Sequence, residues 1–305
     1  RWSYACAPGE APPQLRVELF EILGPAHVHV LALDPGHETI LTSGAASIEL
    51  TAKPADSGAR QEGALAFVGL GAAHILEGWD HLAFGATLLI GAARLAEVAL
   101  LITGFTLGHS LTLALAALGL ARPDPASIEL LIAASVMIVA AGELRRSGRS
   151  HPRLPEQVAV AIFACALLAT VSGNSCALAA WGAGLLAWGY LARSPHETAR
   201  RTPHEATKTA PTRPARHLGL VAGFGLVHGA GFAGVLQRTG LPPGAQVSSL
   251  LGFNLGVELG QLAFVALAWP ALRYLRRARP GLEAWATVAL LGLGLAWVTA
   301  RALGA

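Results

Sequence analysis

The chain has 305 residues, of which 53% are hydrophobic and only 13% are charged. Soluble globular domains carry about 25% charged residues, so this composition excludes a water-soluble enzyme of this size and indicates a membrane protein. The net charge of +3 comes without a basic stripe interleaved with aromatic residues, so we expect no nucleic-acid partner.

The N-terminal residues differ in character from the rest of the chain. Residues 1–62 are rich in charged side chains, and the runs 15–23 and 27–33 alternate hydrophobic and polar residues, a pattern typical of strands. Pro25 and the Asp-Pro-Gly sequence at 34–36 indicate turns between the runs. We therefore predict a small β-rich head over 1–62, able to dock a protein partner, and a helical membrane domain over 63–305.

From residue 64 onward the chain is dominated by long apolar segments. A bilayer core about 30 Å thick needs roughly 20 apolar residues per helix. The segments predict an all-α polytopic membrane protein with about eight transmembrane helices, at 64–90, 95–120, 126–142, 156–172, 176–192, 217–237, 248–270 and 284–303. The fourth and fifth are short and are joined only by Ser172-Gly-Asn-Ser175, which predicts a tight helical hairpin.

The loop charges predict the orientation of these helices. If eight helices alternate, fifteen Lys and Arg residues fall on one side, mainly within 145–153, 193–216 and 273–279. Cytoplasmic loops accumulate Lys and Arg. We therefore predict that the protein lies in the bacterial inner (cytoplasmic) membrane, with the head and both termini outside.

Several of the predicted spans contain ionisable side chains, which cost about 2.5–3.5 kcal/mol each at the bilayer centre and usually serve a purpose there. On a straight helix His74, Glu77 and His81 share one face, whereas Asp80 points elsewhere, toward a histidine of a neighbouring helix or toward a supporting role. The residues that we predict as metal ligands are His74, Asp80, His81, His109, His228 and Glu258, with Glu77, Glu129, Asn254 and Gln261 in support.

These residue types narrow the chemistry of the site. Buried carboxylates must be protonated, find hydrogen-bond donors or bind a cation. Histidines combined with carboxylates suit a borderline divalent transition metal such as nickel, cobalt or zinc. The alternative is a hydrogen-bonded polar core that only fixes helix packing, but four histidines beside Asp80 and Glu258 favour a cation or proton site. For Glu129, capping of a helix N-terminus and an outer metal relay are equally open.

Four motifs carry a resemblance to a known family. They are HILEGWDH at 74–81, FTLGHSLT at 105–112, FGLVHGAGFA at 224–233 and FNLGVELGQ at 253–261. With these motifs the chain resembles the HupE/UreJ family of bacterial membrane proteins, which is associated with hydrogenase and urease gene clusters and thereby with nickel uptake. Two motifs are also similar to those of the nickel/cobalt permeases, except that five rather than four residues separate His74 from Asp80.

The leading hypothesis is a secondary permease for a divalent transition metal, with nickel first and cobalt second. The residues that would bind the ion are His74, His81, His109, His228 and Glu258. Asp80 would orient a histidine or balance charge, and Asn254 and Gln261 would supply neutral oxygens. The sequence carries no ATP-binding motif, so we expect an ion gradient to drive uptake. The alternatives are an intramembrane metal-dependent hydrolase with Asp80 or Glu77 as general base, and a metal-delivery or assembly subunit.

Overall fold

The computed structural model describes residues 14–16, 29–34, 37–41, 47–49, 58–148, 150–192, 213–239, 246–279 and 281–304. These residues belong to two compact units, one formed by 1–77 with 235–260 and the other by 78–234 with 261–305. The described helices are α1 Gly58–Glu77, α2 Trp79–Gly91, α3 Leu95–Ala117, α4 Pro125–Arg146, α5 Leu154–Val171, α6 Ala177–Leu191, α7 Arg213–Thr239, α8 Gln246–Ala278 and α9 Leu282–Ala302.

Short strands occur in the N-terminal part of the first unit. They are β1 Gln14–Arg16, β2 His29–Asp34, β3 His37–Leu41 and β4 Ser47–Glu49. β1 pairs antiparallel with β4, and β2 pairs antiparallel with β3. Much of 1–62, including the greater part of the run 15–23, lies outside the described residues. A β-rich head that faces the outside therefore stays a prediction.

Among the described residues, five helices are long and apolar enough to cross a membrane: 95–117, 125–146, 154–171, 247–278 and 282–302. The shorter apolar helices 65–77, 177–191 and 217–232 coincide with parts of the other predicted spans. The structure thus has helices where the apolar segments predict them, and a count of eight spans stays a prediction. The basic segment 193–212 lies outside the described residues.

The first predicted span, 64–90, is wrong as a single helix. α1 ends at Glu77, and Gly78 has an extended backbone with φ −76° and ψ 97° before α2 begins. Any residue can adopt this extended conformation, so the hydrophobicity of the run 64–90 does not reveal the break. Straight-helix geometry therefore does not apply across Gly78, and a shared face of His74, Glu77 and His81 stays a prediction.

In the second unit, α4 is the central helix. It packs against α2, α5, α6 and α9, and its residues from 132 to 144 are buried. The core around it contains Phe84, Phe105, Met137 and Ile162. Since α4 contacts α2 along the core, side chains on these two helices can meet inside the unit.

The predicted hairpin is present in the second unit. α5 and α6 pack against each other and are joined by residues 172–176. Gly173 turns the chain with φ +67°, a left-handed conformation that favours glycine. Phe163 packs against Gly184, where a Cβ atom would meet the ring at close range.

In the first unit, α1 packs against the first half of α8 through glycines. A Cβ atom at Gly71 would collide with the carbonyl group of Phe253, and one at Gly256 would collide with that of Val68. The backbones of these two segments therefore approach as closely as a GxxxG pattern permits.

Candidate metal centre

Asp80 and His81 open helix α2 in the second unit. The Asp80 Oδ1 atom accepts a hydrogen bond from the backbone N–H of His81 at 2.8 Å and lies 2.8 Å from Nδ1 of the same residue. An ionised carboxylate only accepts hydrogen bonds, so this contact places the imidazole proton on Nδ1 and leaves a lone pair on Nε2. Asp80 therefore orients His81 in the way that carboxylates support metal-binding histidines.

His228 lies opposite this pair, on helix α7. Its ring centroid is 4.9 Å from that of His81, and the side chain is only 1% exposed. Phe84 and Phe105 contact the ring with centroids 5.3 Å and 5.0 Å away. The aromatic rings exclude water from one side of His228, which increases the strength of electrostatic interactions there.

Asp80, His81 and His228 form a possible metal-binding set. Each offers one ligand atom, and these atoms lie within 4.8 Å of one another. Ligand atoms on opposite sides of one ion, at about 2.1 Å from it, are about 4 Å apart. The spacing within the set is therefore close to that of ligand atoms around a single ion.

His109 lies beside this set on helix α3. It is fully buried, and its ring centroid is 6.2 Å from that of His81. The ring stacks on Phe105 of the same helix at an interplanar angle of 24°. The structure thus places His109 next to the Asp80, His81 and His228 set within the same unit.

Glycines bring α3 and α7 close enough for these histidines to approach. A Cβ atom at Gly225 would collide with the carbonyl of Phe105, and one at Gly229 with that of His109. Conversely, a Cβ atom at Gly108 would collide with the carbonyl of Ala222. Residues 229–234 have the sequence pattern GxGxxG, and its first glycine, Gly229, is one of these packing positions. This glycine therefore allows the backbones of α3 and α7 to contact each other.

Two residues of the second unit that we predict to support the metal site form polar contacts with residues outside the Asp80, His81 and His228 set. The Thr106 hydroxyl donates to Gln261 Oε1 at 3.0 Å, a buried bond between α3 and α8. Glu129 pairs with Arg301 across 3.0 Å at an exposed position. The N-cap of α4 is Asp124, which accepts from Ser127 N, so Glu129 is not the capping residue.

The other predicted residues belong to the first unit. His74 lies with its ring 5.6 Å from that of Phe253, and Glu77 is the exposed last residue of α1. The side-chain amide of Asn254 donates to Leu250 O at 2.8 Å, and Glu258 is half-buried on α8. Their participation in a metal site stays a prediction.

The sequence reasoning missed two groups of residues in the second unit. Ser135 on α4 is fully buried and contacts His228 Nε2 at 3.0 Å. Near the end of the same helix, buried Glu143 forms an ion pair with Arg146, whose Nη2 lies 3.4 Å from Nε2 of His217. A serine in an apolar span is a common helix residue that bonds its own backbone, so only the tertiary contact distinguishes Ser135.

Comparison with known proteins gives one family. A family model described as HupE / UreJ protein matches residues 51–169 and 205–302. The matched segments contain Asp80, His81, His109, Ser135 and His228. No curated protein and no solved structure matches the chain.

Proposed function

The chain belongs to the HupE / UreJ family, and from this premise we propose that it is a secondary permease for a divalent transition metal, with nickel first and cobalt second. The family is linked to nickel and cobalt transport, and the apolar helices agree with a membrane protein. The metal ion is the cargo of this permease and not a resident cofactor.

The observation that carries the proposal is the grouping of Asp80, His81 and His228. Two imidazoles and one carboxylate are a ligand set that binds borderline divalent ions such as nickel, cobalt and zinc. Structural zinc sites are closed by four protein ligands, whereas three protein ligands leave a coordination position open. An open position allows water to enter and the ion to leave, which transport requires.

The remaining ligand assignments stay predictions within this proposal. His109 lies near the set in the same unit and is a further predicted ligand. His74 and Glu258 are the predicted ligands of the first unit, and Asn254 and Gln261 are the predicted neutral oxygen donors. The β-rich head over 1–62 would dock a protein outside the membrane.

Metal analysis of the purified protein tests the binding part of the proposal. We expect the detergent-solubilised protein to retain a stoichiometric divalent ion, and His81→Ala and His228→Ala to lose it. His151→Ala is the matched control, since His151 is exposed in the connection before α5. Retention of the ion by both site variants would refute the proposed ligand set.

Uptake into proteoliposomes tests transport itself. We expect nickel or cobalt to accumulate in vesicles that contain the protein, and His228→Ala vesicles to match protein-free vesicles. Equal uptake with and without the wild-type protein would refute the permease. Metal retention without uptake would leave the hydrolase and the delivery subunit as the surviving hypotheses.

We propose the bacterial inner membrane as the location, with the head and both termini outside. The support is the concentration of Lys and Arg in the loops assigned to the cytoplasm. In a cysteine-free background, a cysteine introduced within 200–214 should react only with reagent on the cytoplasmic side. A cysteine within 1–62 is the control for the opposite side, and labelling of 200–214 from outside would invert the orientation.

A further inference from the structure

The Ser135 hydroxyl group makes two contacts inside the second unit. It donates to the carbonyl oxygen of Ile132 at 2.6 Å, and its oxygen lies 3.0 Å from Nε2 of His228. A hydroxyl group has a single proton to donate. The shorter contact, to the Ile132 carbonyl, takes that proton, so the hydroxyl oxygen can only accept from His228.

This assignment determines where the proton of His228 lies. A neutral imidazole carries one N–H, and the partner of each ring nitrogen decides which nitrogen is protonated. Because Ser135 accepts, the proton lies on Nε2 and Nδ1 keeps its lone pair. His228 Nδ1 is buried and has no hydrogen-bond partner among the described residues, as expected of a nitrogen reserved for an ion.

We propose that Ser135 is a positioning residue that fixes the tautomer of His228 and so presents Nδ1 to the transported ion. The proposal rests on the proposed function of the site. It also gives each of the two histidines its own support, since Asp80 contacts Nδ1 of His81 and Ser135 contacts Nε2 of His228. The two rings would then bind one ion through different nitrogens.

Loss of the hydroxyl group would release this constraint. Without Ser135 the Nε2–H group would have no acceptor at this position, and an unpaired buried donor is unfavourable. With no acceptor beside Nε2, the neutral ring would no longer be held in the Nε2–H form, and the Nδ1–H form would gain population. A protonated Nδ1 cannot bind a metal ion.

Nitrogen NMR of the histidine rings tests the assignment directly. The protein, labelled with ¹⁵N-histidine and freed of metal, should show His228 as the Nε2–H tautomer, with the signal assigned by its loss in His228→Gln. Ser135→Ala should shift the population toward Nδ1–H and weaken nickel binding by about 10- to 100-fold, the range for loss of such support. If Ser135 served only to stabilise the fold, Ser135→Ala would leave the ratio of the Nε2–H and Nδ1–H forms of His228 unchanged.

Thr87→Val is the matched control. The Thr87 hydroxyl is also buried and donates to the carbonyl three residues earlier, Phe84 O at 2.6 Å, but among the described residues no histidine nitrogen contacts it. We expect this variant to keep both the wild-type tautomer and the wild-type nickel affinity.

The outcomes separate this inference from the permease proposal. A wild-type spectrum with His228 protonated on Nδ1 overturns the role of Ser135 even if nickel is transported, and this measurement does not depend on any variant folding. An unchanged tautomer in Ser135→Ala overturns it as well. A wild-type Nε2–H tautomer together with no nickel uptake refutes the permease and supports the assignment of Ser135.

Discussion

Replacing Gly229 by alanine tests whether the close approach of α3 and α7 builds the metal site. An added Cβ atom would lie 2.9 Å from Cα and 3.0 Å from the carbonyl carbon of His109, and closer still to the carbonyl oxygen. Ordinary contacts of a Cβ atom begin at 3.4 Å. The helices must therefore separate by about 0.5 Å or more, which already equals the tolerance of about 0.5 Å for a ligand constellation.

Two opposing terms determine the stability of this variant. Alanine favours a helix over glycine by about 1 kcal/mol, whereas overpacking costs about 1–3 kcal/mol. The net loss of unfolding free energy should thus lie between about 0 and 2 kcal/mol. Because the displacement moves α7, which carries His228, we expect the nickel dissociation constant to rise about 10- to 100-fold.

Nickel titration of the purified variants, followed by calorimetry, measures this effect. Gly223→Ala is the matched control on the same helix, because a Cβ atom there meets nothing within 4 Å. That variant gains helix propensity without collision, so its affinity should equal that of the wild type. Equal nickel affinity of Gly229→Ala and Gly223→Ala would refute the role of the close approach.

Two further predictions concern the supports of α2 and α4. Arg276→Gln removes a guanidinium group that donates to Ala92 O at 3.2 Å and to Ile90 O at 2.5 Å at the C-terminal end of α2, and to Glu283 at 2.8 Å. The melting temperature should therefore fall by an amount equivalent to about 1–3 kcal/mol, and no fall beyond that of the exposed control Arg277→Gln would contradict this. Asp124→Ala removes the cap of α4 and should cost about 1 kcal/mol. Hydrogen bonds from Ser127 hold the pKa of Asp124 below its usual value of 3.8, so the stabilisation is present above the unfolded-state pKa and lost as the pH falls through the lower folded-state pKa. Thermal melts of the wild type and Asp124→Ala between pH 2 and 7 should therefore converge at the acidic end, and a constant difference would contradict the assignment.

Part of the metal centre follows from the sequence. Ionisable residues inside apolar spans are costly, so Asp80, His81, His109 and His228 stand out without a structure. The structure brings these four residues together in one unit, with Asp80 hydrogen-bonded to its chain neighbour His81 and not to a histidine of a neighbouring helix. Their assignment as ligands stays a prediction. His74 and Glu258 belong to the other unit, and sequence alone cannot assign them to a common shell.

The positions of the apolar helices are likewise determined by local composition. Long apolar segments form helices because every backbone group must be satisfied within the segment when no water is present. The break between α1 and α2 at Gly78 could not be predicted from composition, because a glycine in an apolar run is compatible both with a helix and with an extended turn. Which of these two conformations Gly78 adopts depends on the packing around it and not on its local sequence.

Tertiary structure alone decides which residues of a helix face a partner. Gly219 and Gly223 on α7 have open space around them, whereas Gly225 and Gly229 touch the backbone of α3. Ser110 and Ser135 both bond the backbone of their own helix, and what distinguishes Ser135 from Ser110 among the described contacts is its contact with His228 on α7. Identical residues acquire different roles because packing joins segments that are distant in the chain, whereas hydrophobicity and spacing report only on their own segment.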